Sequence, residues 1–309
     1  MDKLSEFRKK TVASRKGFAL LLTLSILAIV IGLSSTLVSY MSTARNSATS
    51  TRALIQGNIF YADIQAVLKK FQSQKETLYK ILYKTPVPFE MDNNRLSIML
   101  KCEPLANSVN INWIAYGNDS KFDAQYQAAQ KVFEYLAQRY NLVNINLLEE
   151  QIIARIKNQD ESDDFSDRLK SKKFILSYKD FEKILFEYSQ EENDKNIIKI
   201  PWNKYFVYNM VDKDPKNNLI DGNYMSAELI SVLFDMEIDI IREEWEIGET
   251  KLGDLLNNNG IGFNKNLFEQ KFYARTKCEV YYDYMDHRFK FTFNDIDNEV
   301  KNFEFYGRQ

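Results

Sequence analysis

One histidine, His287, occurs in 309 residues. That scarcity excludes the H-E-x-x-H helix and most zinc chemistry, which need several imidazole ligands. Neither a G-x-S-x-G elbow nor a Walker A loop is present, so the usual hydrolase and nucleotide-binding signatures are missing too. Gly260-Ile261-Gly262 sits in an Asn-rich segment and reads as a turn. Asp286-His287-Arg288 reads as the solvent-facing connection of a hairpin. An enzyme is therefore not expected. The longest absence is of charge: Gly17 to Ala44 are 28 uncharged residues, and no acidic residue occurs from Phe18 to Ala62.

Charge is unevenly placed where it does occur. Residues 1–17 hold Lys3, Arg8, Lys9, Lys10, Arg15 and Lys16 against Asp2 and Glu6, a net of +4, and the chain total of −2 leaves −6 for the remainder. A remainder of that sign makes a poor phosphate binder, so no nucleic-acid partner is expected. The apolar run Phe18–Val38 is 21 residues long, enough at ~1.5 Å per residue to cross a ~30 Å hydrocarbon layer. Basic residues cluster on its N-terminal side, which places the N-terminus in the cytoplasm and exports everything after Tyr40. A cleaved secretory signal with a small-residue site at Ser42-Thr43-Ala44 is the alternative. No Pro or Gly breaks the helix just before that site, however.

Helical periodicity continues past the apolar run. Leu54, Phe60 or Tyr61, Ile64, Val67 or Leu68, and Phe71 recur at three- and four-residue steps, and the stripe resumes at Leu78, Ile81 and Leu82 before Pro86 and Pro88 end it. One helix from Phe18 to about Lys84 is expected, with a kink at Gln72-Ser73-Gln74. A strand follows over Arg95–Cys102, then helical segments over Lys121–Tyr140, Leu147–Ile156, Tyr178–Tyr188 and Ser226–Met236, the last with Ser226 as N-cap. Strand alternation returns in FYARTKCEVYYDY and RFKFTFND near the end.

Arg15-Lys16-Gly17-Phe18, the apolar run and the amphipathic continuation resemble the class III signal and stalk of type IV pilins and type II secretion pseudopilins. The resemblance implies a prepilin peptidase that cuts between Gly17 and Phe18 on the cytoplasmic face and methylates Phe18. Most of that family carry a Glu five residues after the glycine; here the position is Leu22. A carboxylate in the bilayer costs a few kcal/mol and is kept only where it has a partner. In the family that partner is the amine of the neighbouring subunit, so its absence resembles the K-type minor pseudopilin, thought to sit at the fibre tip. Ser108-Val109-Asn110-Ile111-Asn112 and Ser226-Ala227-Glu228-Leu229 are similar to short motifs of that type.

What the resemblance implies is an α+β protein of five parts. They are a leader over 1–17, a stalk helix over 18–86, the start of a pilin-like β core over 87–107, an inserted mostly helical domain over 108–265, and C-terminal core strands over 266–309. It implies a single-pass protein of the bacterial inner membrane with a periplasmic head. Its partners would be the I- and J-type minor pseudopilins, the major pseudopilin and the assembly platform. A minor pilin of a type IV pilus or DNA-uptake machine is the competing reading.

Two further sets of residues are candidates for linkage and binding. Cys102 and Cys278 lie in expected strands on either side of the helical segments. A disulfide between them would tie those ends together if the strands are neighbours, and otherwise they are two core thiols. Two acidic clusters offer oxygen ligands of the kind calcium takes: Asp160, Glu161, Asp163, Asp164 and Asp167, and Asp212, Asp214, Asn217 and Asp221. The second mixes Asp with Asn and precedes Gly222. Relatives of the K type bind calcium, so calcium is the one cofactor expected. Neither cluster has EF-hand spacing.

Overall fold

A computed structural model of the chain describes residues 3–90, 97–157, 174–269, 271–285, 287–296 and 299–308. It opens with a single helix, α1, over Lys3–Lys70. The helix thus begins well before Phe18: the leader is rich in Lys and Arg, has no proline, and Gly17 alone costs only ~1 kcal/mol of helix propensity. The expected kink lies where Gln72-Ser73-Gln74 suggested. Phe71 leaves helical geometry, Gln72–Gln74 form one 3-10 turn, and α2 runs over Lys75–Lys84. From Leu20 to Lys70 α1 is long and apolar enough to cross a membrane, and its most apolar window is wholly uncovered by the rest of the protein.

The last turns of α1 lie on an antiparallel five-stranded sheet of order β1-β2-β7-β8-β9. Its strands are β1 (Val87–Glu90), β2 (Ser97–Pro104), β7 (Arg275–Tyr284), β8 (His287–Ile296) and β9 (Glu299–Arg308). The helix buries Ala53, Phe60, Ile64 and Leu68 against Val280, Tyr282, Phe289, Phe291 and Phe293. Each large side chain withdrawn from water contributes about 1.5–3 kcal/mol. Phe60, Ile64 and Leu68 of the expected stripe are on this face, but its two ends differ. Leu54 and Val67 are only half-buried and Phe71 is exposed, because the closest approach is made by the small residues Ala53 and Gly57. A Cβ at Gly57 would sit 3.0 Å from the Tyr282 hydroxyl, and that hydroxyl donates to the Ala53 carbonyl. Tyr61 packs edge-on to Phe293 at 5.7 Å and against Phe303 at 4.9 Å, pinning β9 to the helix.

β2 and β7 are neighbours in the sheet although about 170 residues separate them, and Cys102 is the register partner of Cys278. The two are joined by a disulfide with Cα atoms 4.1 Å apart. The chain between them builds a second apolar core of its own. Its helices are α3 (Asp123–Tyr140), α4 (Ile145–Lys157), α5 (Tyr178–Glu191), α6 (Ala227–Phe234), α7 (Ile238–Glu244) and α8 (Leu252–Asn258). Two short parallel pairs complete it, β3 (Val109–Asn110) with β4 (Phe206–Val207), and β5 (Ile220–Asp221) with β6 (Phe268–Glu269). In α3 the face Ala128, Val132 and Leu136 is buried, as the period requires. Ser226 caps α6 by accepting the Leu229 N–H at 3.2 Å. The architecture is therefore α+β, with a long apolar N-terminal helix and an antiparallel sheet.

Candidate functional site

The surface with the clearest chemistry is α1 itself. Leu20, Leu21, Leu22, Leu24, Ile26, Leu27, and further apolar residues up to Met41 lie uncovered. Leu22 is one of them, half-exposed, and no carboxylate interrupts the band. So large an apolar surface is an aggregation liability in water, and by length and composition the helix is a candidate membrane span. Gly17 and Phe18 fall inside the same helix, in its N-terminal stretch before Leu20, where side chains lie outside the described ones.

The kink between α1 and α2 is held by a buried charge cluster. Lys75, the first residue of α2, places its Nζ 2.7 Å from Asp295 Oδ2 in β8, with side-chain exposures of 9% and 1%. The Tyr79 hydroxyl donates to the same carboxylate oxygen. Burial, then the adjacent Asp295 charge, push the Tyr79 hydroxyl far above its usual range, so it stays a donor. Nothing local in the sequence marks this pair, whose members are 220 residues apart.

Where the two cores meet, Tyr83 of α2 packs edge-on to Tyr224 at 4.9 Å, and Lys84 pairs with Glu249. Asp221 lies in this junction, 1% exposed. Its backbone N–H donates to Ala106 at 2.7 Å, and its carboxylate accepts the N–H of Asn223 at 3.3 Å and of Tyr273 at 3.4 Å. Burial, which outweighs those two donors, raises its pKa to about 7, with Glu269 and Glu76 adding to the rise. A carboxyl whose folded pKa exceeds its unfolded value binds protons more tightly when folded, so it destabilises the fold above pH 7. That cost shrinks as pH falls and is gone below about pH 4. Asp221→Asn should abolish this trend. Thermal unfolding of wild type should shift upward relative to the variant between pH 8 and pH 5, and parallel pH profiles would refute the burial.

The calcium candidates are distributed differently from the expectation. Asp160, Glu161, Asp163, Asp164 and Asp167 lie outside the described residues. In the second cluster, Asp212 Oδ1 accepts the Asp214 N–H at 2.9 Å, which holds the Asp212 carboxyl below its usual range. Asp214 Oδ1 caps the turn after it by accepting the Lys216 N–H at 3.0 Å. The Asn217 carbonyl accepts the Tyr273 hydroxyl at 2.9 Å. Asp221 is engaged by other backbone donors in the junction. The Asp212, Asp214 and Asp221 carboxylates accept backbone N–H groups within their own turns, and no group of three His, Cys, Asp or Glu among the described residues is arranged to hold a metal.

The two short motifs have structural work. Asn112 is fully buried and donates to the carbonyls of Ile175 at 2.9 Å and Asn209 at 3.0 Å, while its Oδ1 accepts the Ile175 N–H at 2.8 Å. Asn110 reaches the same Asn209 carbonyl at 2.9 Å. This pair therefore ties two distant segments, at Ile175 and Asn209, to its own with hydrogen bonds that would be costly to leave unmade. No family model matches the chain, and no curated protein matches it in sequence.

Proposed function

We propose that the chain is a minor pseudopilin of the K type, which initiates or caps a short fibre on the outer side of the bacterial inner membrane. Its work on this reading is binding. The observation that carries it is one unbroken helix whose first part has an uncovered apolar surface and whose last turns are buried on an antiparallel sheet. A plain anchor has no reason to continue into the head as its central packing element. The helical region between the neighbouring strands β2 and β7 is taken as the inserted domain of that type. Leu22 in place of a glutamate suits a subunit with no neighbour stacked above it.

The reading predicts a mature protein that begins at a methylated Phe18, as measured by intact-mass and N-terminal peptide spectrometry on membranes. Gly17→Trp should leave the uncut precursor in the membrane, because the peptidase must approach the peptide bond beside that residue. An intact Met1 start, a cut near Ala44, or normal processing of the variant would sink the reading.

A further inference from the structure

Lys16 and Arg45 stand at the two ends of the uncharged stretch of α1. They are 29 residues apart, about 44 Å along a helix, or about 41 Å across a membrane at a tilt of ~20°. A bilayer measured through both headgroup layers is ~40–45 Å thick. Centring the ~30 Å hydrocarbon layer between the two charges puts its outer edge at Tyr40. That side chain is 74% exposed and suits the aromatic belt of a membrane interface. Arg45 then stands about 7 Å above the edge, level with the lipid phosphates.

Around Arg45 the helix offers a set of unused donors. Ser42, Arg45, Asn46 and Thr49 recur at three- and four-residue steps and so share one face. The nearby Thr43 and Thr51 turn their hydroxyls back onto the carbonyls of Ser39 and Ser47, both at 3.0 Å. None of the four side chains on the Arg45 face has a hydrogen-bond or ion-pair partner among the described residues. Acidic side chains that would repel an anion are absent from Phe18 to Ala62. A cation on the exported flank also runs against the bias of basic residues toward the cytoplasmic side, so topology does not account for it.

We propose that this face binds the phosphate of an anionic phospholipid in the outer leaflet. The proposal rests on the reading of α1 as a membrane-spanning helix with the head outside. The Arg45 guanidinium supplies paired N–H donors that match two phosphate oxygens, and Ser42, Asn46 and Thr49 supply neutral donors beside it. Arg52 is not part of the site. It lies 12 residues beyond Tyr40, about 18 Å, whereas the headgroup layer adds only ~5–8 Å. Ile55 and Ile59, exposed by 56% and 49%, lie farther out still. On the pseudopilin reading a cut after Gly17 removes Lys16, which leaves Arg45 as the charged side chain that sets the depth of the helix.

The test places p-benzoylphenylalanine at Met41, one turn before Arg45 and 62% exposed. The full-length chain is reconstituted in vesicles of equal phosphatidylglycerol and phosphatidylcholine. Irradiation and peptide mass spectrometry then read the lipids joined to that segment, apart from any held by the leader. Adducts should favour phosphatidylglycerol about fivefold, the ratio set by ~1 kcal/mol per basic residue near an anionic surface. Arg45→Gln should return the ratio to that of the bulk lipid, Arg45→Lys should keep most of the preference, and Arg52→Gln should change nothing. A bulk ratio in wild type, a preference indifferent to Arg45→Gln, or adducts with protein in place of lipid would overturn the proposal. Processing at Gly17, read separately on native membranes, keeps the two ideas apart. A chain cut there that shows no lipid preference sinks the lipid contact alone, and an uncut chain that shows it sinks the pseudopilin reading alone.

Discussion

Lys75→Met is expected to destabilise the protein by about 3–5 kcal/mol. The variant leaves Asp295, 1% exposed, with only the Tyr79 hydroxyl for company, and its Oδ1 has no hydrogen-bond partner even in wild type. The lysine is itself an unfavourable choice, since it sits at a helix N-terminus where the helix dipole repels a cation. Its retention there is accounted for by the partner across the sheet. Lys75→Met/Asp295→Leu should consequently recover most of the stability, because removing both charges also removes their desolvation cost. Urea midpoints of the two variants against wild type measure the effect. A single variant within about 1 kcal/mol of wild type would mean that the pair is solvated in solution.

Loss of the disulfide should have an effect of similar size. It closes a loop with a sequence separation of 176, for which the chain-entropy relation gives about 5 kcal/mol at 25 °C. Cys102→Ala/Cys278→Ala should accordingly lower the unfolding midpoint, and the variant's second core should gain freedom relative to the sheet. Both sulfurs belong to residues no more than 2% exposed. Mild reductant should therefore leave the native protein unchanged and act only once the protein is partly unfolded, a difference visible by alkylating free thiols with and without urea. Rapid alkylation of the native protein after mild reduction would contradict the burial. A midpoint unmoved by the double variant would mean that the sheet pairing between β2 and β7 already closes the loop without covalent help.

Residues with local consequences were readable in the chain. The uncharged run from Gly17 to Ala44 encodes a long apolar helix, and a hydrophobic period of 3.6 residues marks α3 over nearly its whole length. Alternation of period two marks β7 and β8, and a serine three residues before an orphan N–H marks the start of α6. β1 and β9 were missed as individual strands. Pro86 and Pro88 disguise the first, and register shifts in its pairing with β8 accompany the second.

Periodicity placed Phe60, Ile64 and Leu68 on the face of α1 that meets the sheet but misjudged its two ends. A search for large apolar residues selects Leu54 and Phe71, but a helix lies closest to a sheet where its side chains are smallest, at Ala53 and Gly57. The same error hid the exposed isoleucines on the other side. Two features had no local signal at all, the partner of Lys75 and the burial of Asp221, while the Cys102–Cys278 disulfide was a candidate that turned on whether its two strands, about 170 residues apart, are neighbours. Each depends on which strands become neighbours, a choice made by the packing of the whole chain. By itself the sequence determined the membrane-length helix, the missing carboxylate at Leu22 and the identity of most elements, because those follow from the chemistry of adjacent residues. Only the tertiary structure decided which acids are buried, whether the two cysteines meet and which face of the stalk is left open, because these arise between residues that only folding brings together.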